Sequence, residues 1–168
     1  MTTETNKESL KEKILDALHQ VKDPEIPVIS VVDLGIIIDI DIDDDQNVLI
    51  KMTPTFSGCP ALQIMQLQVQ KKASEVEGVN KAKVEVDKET SWTSNRISDQ
   101  GRKAIKEFGL APPPRFEDDL DVSTIEKVQC PYCDSEDSIL KTPFGSTLCR
   151  AIHYCNGCKQ SFEQFKPL

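Results

Sequence analysis

The sequence predicts an α+β fold, in which a small helix-strand-strand-helix-strand domain precedes a C-terminal cysteine-rich module. Apolar residues recur at helical spacing in two segments, and isoleucines alternate with aspartates between those segments. Two Cys-x-x-Cys pairs lie close to the C-terminal end. A chain of 168 residues has room for one ordinary domain and a small module.

The first element is a helix predicted from about Ser9 to Val21. Ser9 and Glu12 have the spacing of a capping box, which predicts the start of the helix. Its apolar face is formed by Leu10, Ile14, Ala17, Leu18 and Val21. Pro24 and Pro27 end the helix, since two prolines within four residues cannot continue it.

Two strands are predicted next, at about Val32–Ile42 and Val48–Thr55, with a polar hairpin over residues 43–47. In the first strand, isoleucines at even positions alternate with Asp39 and Asp41. Because successive strand residues point to opposite faces, one face of the sheet is expected to be buried and the other solvated.

A second helix is predicted from Pro60 to about Glu77, ended by Gly78. Its apolar stripe is Leu62, Met65, Val69, Ala73 and Val76. A third strand follows over Val79–Val86, and Ser98 is expected to cap a short helix that closes at Gly109.

The domain boundary is predicted from composition. Residues 1–111 form the α+β domain, residues 112–127 form a linker, and residues 128–168 form the cysteine-rich module. The linker begins with three prolines at 112–114 and continues with acidic residues at 117–121, so it is expected to be stiff and then solvated.

The module has the spacing of a four-cysteine zinc ribbon. Cys130 and Cys133 form one pair and Cys155 and Cys158 the other, with 21 residues between the pairs. Two thiolates from each tight turn complete a tetrahedron around one Zn²⁺ ion, which is then structural because no coordination position is left open. Metal binding supplies folding energy that so short a segment lacks.

Other interpretations of these cysteines remain open at the level of sequence. The two pairs could form disulfides or act as redox centres, although the expected cytoplasmic location disfavours disulfides. Cys149 and His153 are near enough in sequence to compete as ligands. A small buried hydrophobe is the simpler interpretation of Cys149, and a solvent-facing strand residue that of His153.

The other informative stretch is Thr53–Ala61, which contains a single cysteine, Cys59. Pro60 is expected at the first helical position, so Cys59 is the predicted N-cap residue. There the helix dipole would lower the thiol pKa and make the sulfur a better metal ligand. Buried filler is an equally good interpretation. Asp23 and Glu25 would offer oxygen ligands beside Cys59 if the two segments meet, but a carboxylate that caps the turn or faces solvent is the favoured interpretation of either residue taken singly.

Charge and composition exclude several functions. The net charge of −8 disfavours nucleic acid as a partner, and no apolar run is long enough to cross a membrane. The polar start of the chain predicts no secretory signal, so we expect a cytoplasmic protein. No glycine-rich phosphate loop is present, and the two histidines are not placed to activate a nucleophile.

Three motifs together resemble the metal–sulfur cluster biosynthetic family that includes SufT: residues 23–27 (DPEIP), residues 32–35 (VDLG) and residues 53–60 (TPTFSGCP). Residues 92–113 and the ribbon resemble the branch of that family associated with the phenylacetyl-CoA epoxidase. The resemblance implies the small α+β fold and a role in maturing or supporting that epoxidase. It also implies that Cys59 handles iron or an iron–sulfur cluster, with Asp23 and Glu25 beside it.

Three functions therefore compete. The first is a non-catalytic accessory that assists iron or iron–sulfur centre assembly in the oxygenase complex, with oxygenase or reductase components as protein clients. The second is a stoichiometric structural subunit of that complex. The third is a thiol-based redox enzyme in which Cys59 reacts and Cys149 resolves. A homodimer that shares a cluster between two Cys59 residues is also compatible with the sequence.

Overall fold

The computed structural model describes residues 2–56, 58–116 and 123–167, which form two compact units, Met1–Trp92 and Thr93–Leu168. The fold is α+β, as predicted. The acidic run predicted at 117–121 lies outside the described residues. None of the described helices is long and apolar enough to cross a membrane.

The first unit contains two helices and a three-stranded sheet. The elements are α1 (Thr2–Leu18), β1 (Ile37–Ile42), β2 (Asn47–Met52), α2 (Leu62–Ser74) and β3 (Lys81–Val86). The strand order is β1-β2-β3; β1 and β2 are antiparallel, whereas β2 and β3 are parallel and joined by α2. Both helices contact the sheet and each other, so they cover one face of it.

The core of this unit lies between the helices and that face. Ile40, Ile50 and Val84 form one cross-strand row and are buried. On the opposite face, Asp39 pairs with Lys51, and both are exposed. The predicted alternation of a buried and a solvated face is confirmed, because the strand period of two places every second residue on the same side.

The bounds of both helices differ from the prediction. Helix α1 begins at Thr2, so Ser9 lies inside it, and the predicted capping box is wrong. Helix α2 begins at Leu62 and ends at Ser74 rather than at Pro60 and Glu77. Most of the predicted apolar positions are nevertheless buried, for example Ile14 and Met65.

The second unit is built on a four-stranded sheet. Its elements are α3 (Asp99–Glu107), β4 (Leu110–Ala111), α4 (Ser123–Glu126), β5 (Ser138–Thr142), β6 (Arg150–Cys155) and β7 (Ser161–Phe165). The strand order is β4-β7-β6-β5, with β4 parallel to β7 and the other pairs antiparallel. Ser98 caps α3 as predicted: its hydroxyl accepts a hydrogen bond from the backbone N–H of Gly101 (2.9 Å).

The division into units falls earlier than the predicted boundary after residue 111. Residues 93–111 group with the ribbon because β4 extends the ribbon sheet, with Leu110 opposite Glu163 and Ala111 opposite Gln164. Ala111 is fully buried and belongs to the apolar cluster of the ribbon. Composition could not show this, since the pairing joins residues about 50 positions apart.

Candidate metal centres

Cys59 lies in the turn that precedes α2. Its backbone N–H donates to the carbonyl of Phe56 (3.1 Å), and its own carbonyl accepts from the N–H of Leu62 (3.3 Å). The N-cap residue of α2 is Ala61. The prediction that Cys59 caps the helix is therefore wrong, because Pro60 and Ala61 continue the turn before the helix begins.

The thiol of Cys59 is partly exposed, and its pKa is raised above the ordinary value. Burial is the largest cause, and the carboxylates of Asp23 and Glu25 add to it because they disfavour a second negative charge nearby. The backbone N–H of Ala61 and the hydroxyl of Thr55 act in the opposite direction but do not outweigh burial. The predicted lowering of this pKa is therefore wrong, and the group is a thiol at neutral pH.

The carboxylates of Asp23 and Glu25 lie near enough to Cys59 to act on its pKa. Asp23 is buried, and its Oδ1 accepts hydrogen bonds from the N–H groups of Glu25 (2.7 Å) and Ile26 (3.1 Å). The N–H of Asp23 donates to the carbonyl of Ile29 (3.1 Å), which closes the loop. One oxygen of Asp23 thus holds the turn, as carboxylates after a helix commonly do.

These three side chains do not form a closed metal site. Within the described ranges, the one group of three or more Cys, His, Asp or Glu side chains whose ligand atoms all lie within 4.8 Å of one another is in the ribbon. An ion at Cys59 would need further ligands from outside this turn.

The ribbon brings its four cysteines together on two similar turns. In the first turn, the N–H of Asp134 donates to the carbonyl of Cys130 (3.0 Å), and Asp134 has a φ of 59°. In the second, the N–H of Lys159 donates to the carbonyl of Cys155 (3.0 Å), and Lys159 has a φ of 61°. Each Cys-x-x-Cys pair therefore projects two sulfurs from one tight loop.

The sulfur positions fit a tetrahedral metal ion. The Sγ atoms of Cys130 and Cys158 are 3.7 Å apart, and those of Cys133 and Cys155 are 3.6 Å apart. A tetrahedron with metal–sulfur bonds of about 2.3 Å has an edge of about 3.8 Å, which these distances approach. The donor set thus matches a closed, four-coordinate thiolate site with no position for water or substrate.

The close spacing of the four sulfurs contributes to shifted pKa values at Cys155 and Cys158. Backbone N–H donation, above all from Cys158, lowers the pKa of Cys155 to about 6. Burial and the three neighbouring sulfurs raise the pKa of Cys158 to about 12. A divalent ion bound to the four sulfurs would favour the thiolate form of each.

Cys149 and His153 are not part of this set. Cys149 is buried, as predicted, with its Sγ 3.0 Å from Thr147 Oγ1. His153 is fully buried rather than solvent-facing, and its ring stacks on Phe162 at 5.4 Å between centroids. The expectation for His153 was wrong because His153 lies on the buried face of β6, together with Ala151 and Cys155, where every second residue of the strand points.

One polar cluster was missed by the sequence analysis. The Nδ1 atom of His19 lies 3.2 Å from Ser30 Oγ and 3.3 Å from Asp33 Oδ2. Ser30 is fully buried and donates to Asp33 Oδ2 (2.6 Å), so it cannot serve as a nucleophile for a substrate. Its Oγ also accepts from the N–H of Asp33 (2.9 Å), a local cap that the Ser-x-x-Asp spacing could have indicated.

Comparison with known proteins relates both units to characterised families. Residues 11–86 match the family model described as iron-sulfur cluster assembly protein, and residues 117–166 match the PaaD zinc beta ribbon domain. The chain is 32% identical to a putative subunit of the 1,2-phenylacetyl-CoA epoxidase of Escherichia coli over 149 residues, which is 89% of this chain and 88% of the relative. The chain belongs to the PaaD family.

Other relatives of this PaaD-family chain match its N-terminal part. The Fe-S protein maturation auxiliary factor YitW of Bacillus subtilis is 37% identical over 98 residues, which is 58% of this chain and 95% of the relative. The crystal structure of a domain of unknown function, DUF59, from Bacillus anthracis superimposes with a TM-score of 0.55 at 32% identity, covering 58% of this chain and 92% of that one. The resemblance inferred from the sequence motifs is thereby confirmed.

Proposed function

We propose that this chain is an accessory protein of a phenylacetyl-CoA epoxidase and assists the assembly of iron or iron–sulfur centres in the oxygenase complex. Its Escherichia coli relative is named as a subunit of that enzyme, and its Bacillus subtilis relative as a maturation factor for Fe-S proteins. The observation that carries the proposal is the partly exposed thiol of Cys59 beside the carboxylates of Asp23 and Glu25.

This arrangement favours a divalent cation as the cargo. Two carboxylates attract positive charge, and the neutral thiol gives up its proton when a metal ion binds. Because the ligand set is open, the client protein supplies the remaining ligands and can take over the ion. Cys59, Asp23 and Glu25 would thus bind iron weakly enough to release it.

In the proposal, the ribbon has a separate role. Cys130, Cys133, Cys155 and Cys158 hold one structural Zn²⁺ ion, since four thiolates at tetrahedral spacing are the usual ligands of such an ion. The ion orders the second unit, which would contact the client. No step of iron handling passes through this zinc.

Metal analysis under anaerobic conditions tests the proposal. Wild type, Cys59→Ser and the control Cys149→Ser are brought to equilibrium by dialysis against buffer that contains Fe²⁺, and the zinc and the iron in excess over the buffer are measured. We expect one zinc per chain in all three proteins, and iron in wild type and the control only. In reconstitution of iron-free epoxidase, Cys59→Ser should lose maturation; full client activity with this variant would refute the role of Cys59.

The second candidate is a stoichiometric structural subunit, which the subunit name of the Escherichia coli relative favours. Salt-washed purification of the complex discriminates the two: a subunit remains at one copy per complex, whereas an assembly factor dissociates. The contacts of a protein with a net charge of −8 weaken with salt, so the wash is informative. A thiol enzyme is disfavoured, because the raised pKa of Cys59 leaves little thiolate at neutral pH.

A further inference from the structure

The loop that joins β5 and β6, residues 143–149, is called the tip loop below. It presents two large apolar side chains to solvent, Phe144 and Leu148, each 67% exposed. Neither belongs to the apolar cluster of the ribbon, which is formed by Ala111, Val128, Cys130, Cys155 and Phe162. The two side chains therefore contribute little to the stability of this unit.

The tip loop is nevertheless held firmly. The N–H of Ser146 donates to Glu163 Oε1 (2.7 Å), and its hydroxyl donates to Glu163 Oε2 (3.1 Å). Arg150 Nη1 donates to the same Oε2 (2.8 Å), and the N–H of Gly145 donates to the carbonyl of Arg150 (2.8 Å). Glu163 and Arg150 are mostly covered in this ion pair, with 26% and 12% of their side chains exposed. A surface loop so restrained loses little conformational entropy on binding.

Close packing adds to this restraint at Gly145. A Cβ atom added there would lie 2.8 Å from Arg150 Cβ and 2.9 Å from Glu163 Oε1. The absence of a side chain thus lets the loop lie directly on β6 and β7. Phe144 and Leu148, on either side of this contact, are displayed from a fixed backbone.

The surroundings of the tip loop are positively charged. Lys166 Nζ lies 5.7 Å from the ring centroid of Phe144 and donates to the carbonyl of Pro143 (3.1 Å). Lys141, at the end of β5, lies 5.4 Å from the ring centroid of Tyr154. Arg150 is paired with Glu163, so the positive charge that these surroundings offer to a partner comes from Lys141 and Lys166.

We propose that the tip loop is the docking site for the client protein, and that the client presents an apolar pocket rimmed by carboxylates. This inference rests on the proposed function only in taking an epoxidase component as the client. The Phe144 ring and the Leu148 side chain, held on a restrained loop, can bury apolar area in a partner at a low cost in entropy, and the flanking lysines match an acidic rim. Nucleic acid is the weaker match, because the chain as a whole repels phosphate.

Binding of the zinc-loaded protein to purified epoxidase components tests the docking site. Dissociation constants are measured calorimetrically for wild type, Phe144→Ser/Leu148→Ser, Lys141→Glu/Lys166→Glu and the control Leu67→Ser, whose side chain is 69% exposed in the first unit. We expect the apolar double variant to bind about 30-fold more weakly and the charge-reversal variant about 10-fold more weakly. The control should bind as wild type, and binding should weaken as the NaCl concentration is raised.

The docking site would be overturned if wild type bound no epoxidase component, or if the apolar double variant bound as tightly as wild type. It would also be overturned if wild type bound duplex DNA as tightly as an epoxidase component, or if wild type were a dimer that the apolar double variant made monomeric. Unchanged zinc content and circular dichroism show that the variants are folded. Cys59→Ser separates the two proposals, since it should dock normally while failing in maturation. If all variants docked normally and only Cys59→Ser lost maturation, the docking site would be refuted and the proposed function would still be supported.

Discussion

Replacement of a single exposed ligand, Cys133→Ser, should unfold the second unit. Cys133 is exposed, so the substitution removes almost no apolar packing, and its effect must pass through the metal. Zinc contributes on the order of 10 kcal/mol to folding in modules of this kind, whereas a whole domain is stable by about 5–15 kcal/mol.

The small core of the ribbon supplies little stability to compensate for the loss of zinc. Its cluster consists of five buried residues, of which Cys130 and Cys155 are themselves proposed ligands, and Cys158 packs against it. Burial of Phe162, the largest side chain of the cluster, contributes about 2–3 kcal/mol to the stability of the unit. Other buried side chains of the unit, such as Leu110 and Phe165, add to the packing, but a contribution of about 10 kcal/mol from zinc is still as large as the whole stability of a typical domain.

The control is Cys149→Ser, which changes a buried cysteine that is not in the ligand set. Burial of the hydroxyl should cost about 1–3 kcal/mol and leave one zinc per chain. Zinc content, calorimetric melting and limited proteolysis are measured for both variants. The fluorescence of Trp92, the single tryptophan, reports on the first unit, where its Nε1 donates to the carbonyl of Leu34 (2.9 Å).

We expect Cys133→Ser to contain no tightly bound zinc and to be digested within residues 93–168, with the first unit intact. Cys149→Ser should melt a few degrees earlier with its zinc retained. The reasoning would be refuted by one retained zinc and unchanged melting in Cys133→Ser. It would equally be refuted by loss of zinc in Cys149→Ser alone.

Three further predictions follow from local contacts. The rate at which iodoacetamide alkylates Cys59, measured by peptide mass spectrometry, should be lower at pH 7 than the rate for an unstructured cysteine and should increase through alkaline pH. Asp23→Asn should increase the rate, because it removes a nearby negative charge. An unchanged rate would contradict the pKa argument. Ser98→Ala should lower the free energy of unfolding of the second unit by about 1 kcal/mol in urea titrations, because the N–H of Gly101 loses its acceptor, and no change would dismiss the cap. Gly145→Ala should cost about 1–3 kcal/mol in the same assay, since its Cβ atom would lie 2.8 Å from Arg150 Cβ; a neutral effect would show that the loop moves freely.

The sequence predicted the parts of the fold that depend on local periodicity. The alternation in β1 and the apolar stripes of α1 and α2 were predicted correctly, because each face of a helix or strand is set by spacing along the chain. Helix starts were less predictable. Ser9 has the chemistry of a cap, yet α1 runs through it from Thr2, since a capping residue inside a helix costs little.

The ribbon and the Cys59 turn differ in how far sequence could determine them. Two Cys-x-x-Cys pairs define their own ligand set, because each tight turn fixes two sulfurs and a tetrahedral ion needs four. The spacing alone therefore identified Cys130, Cys133, Cys155 and Cys158, while leaving Cys149 and His153 open. The acidity of Cys59, in contrast, was predicted with the wrong sign.

That error has a physical cause in the tertiary structure. A pKa depends on burial and on charges brought close by folding, and Asp23 and Glu25 reach Cys59 from a loop more than 30 positions earlier in the chain. The pairing of β4 with β7 is likewise non-local and decided which unit contains residues 93–111. The sequence by itself determined the element types, the family and the set of four cysteines that the ribbon brings together, whose signals are local or repeat at short spacing. Only the tertiary structure decided the protonation of Cys59, the burial of His153 and the division into units, since each arises from contacts between distant segments.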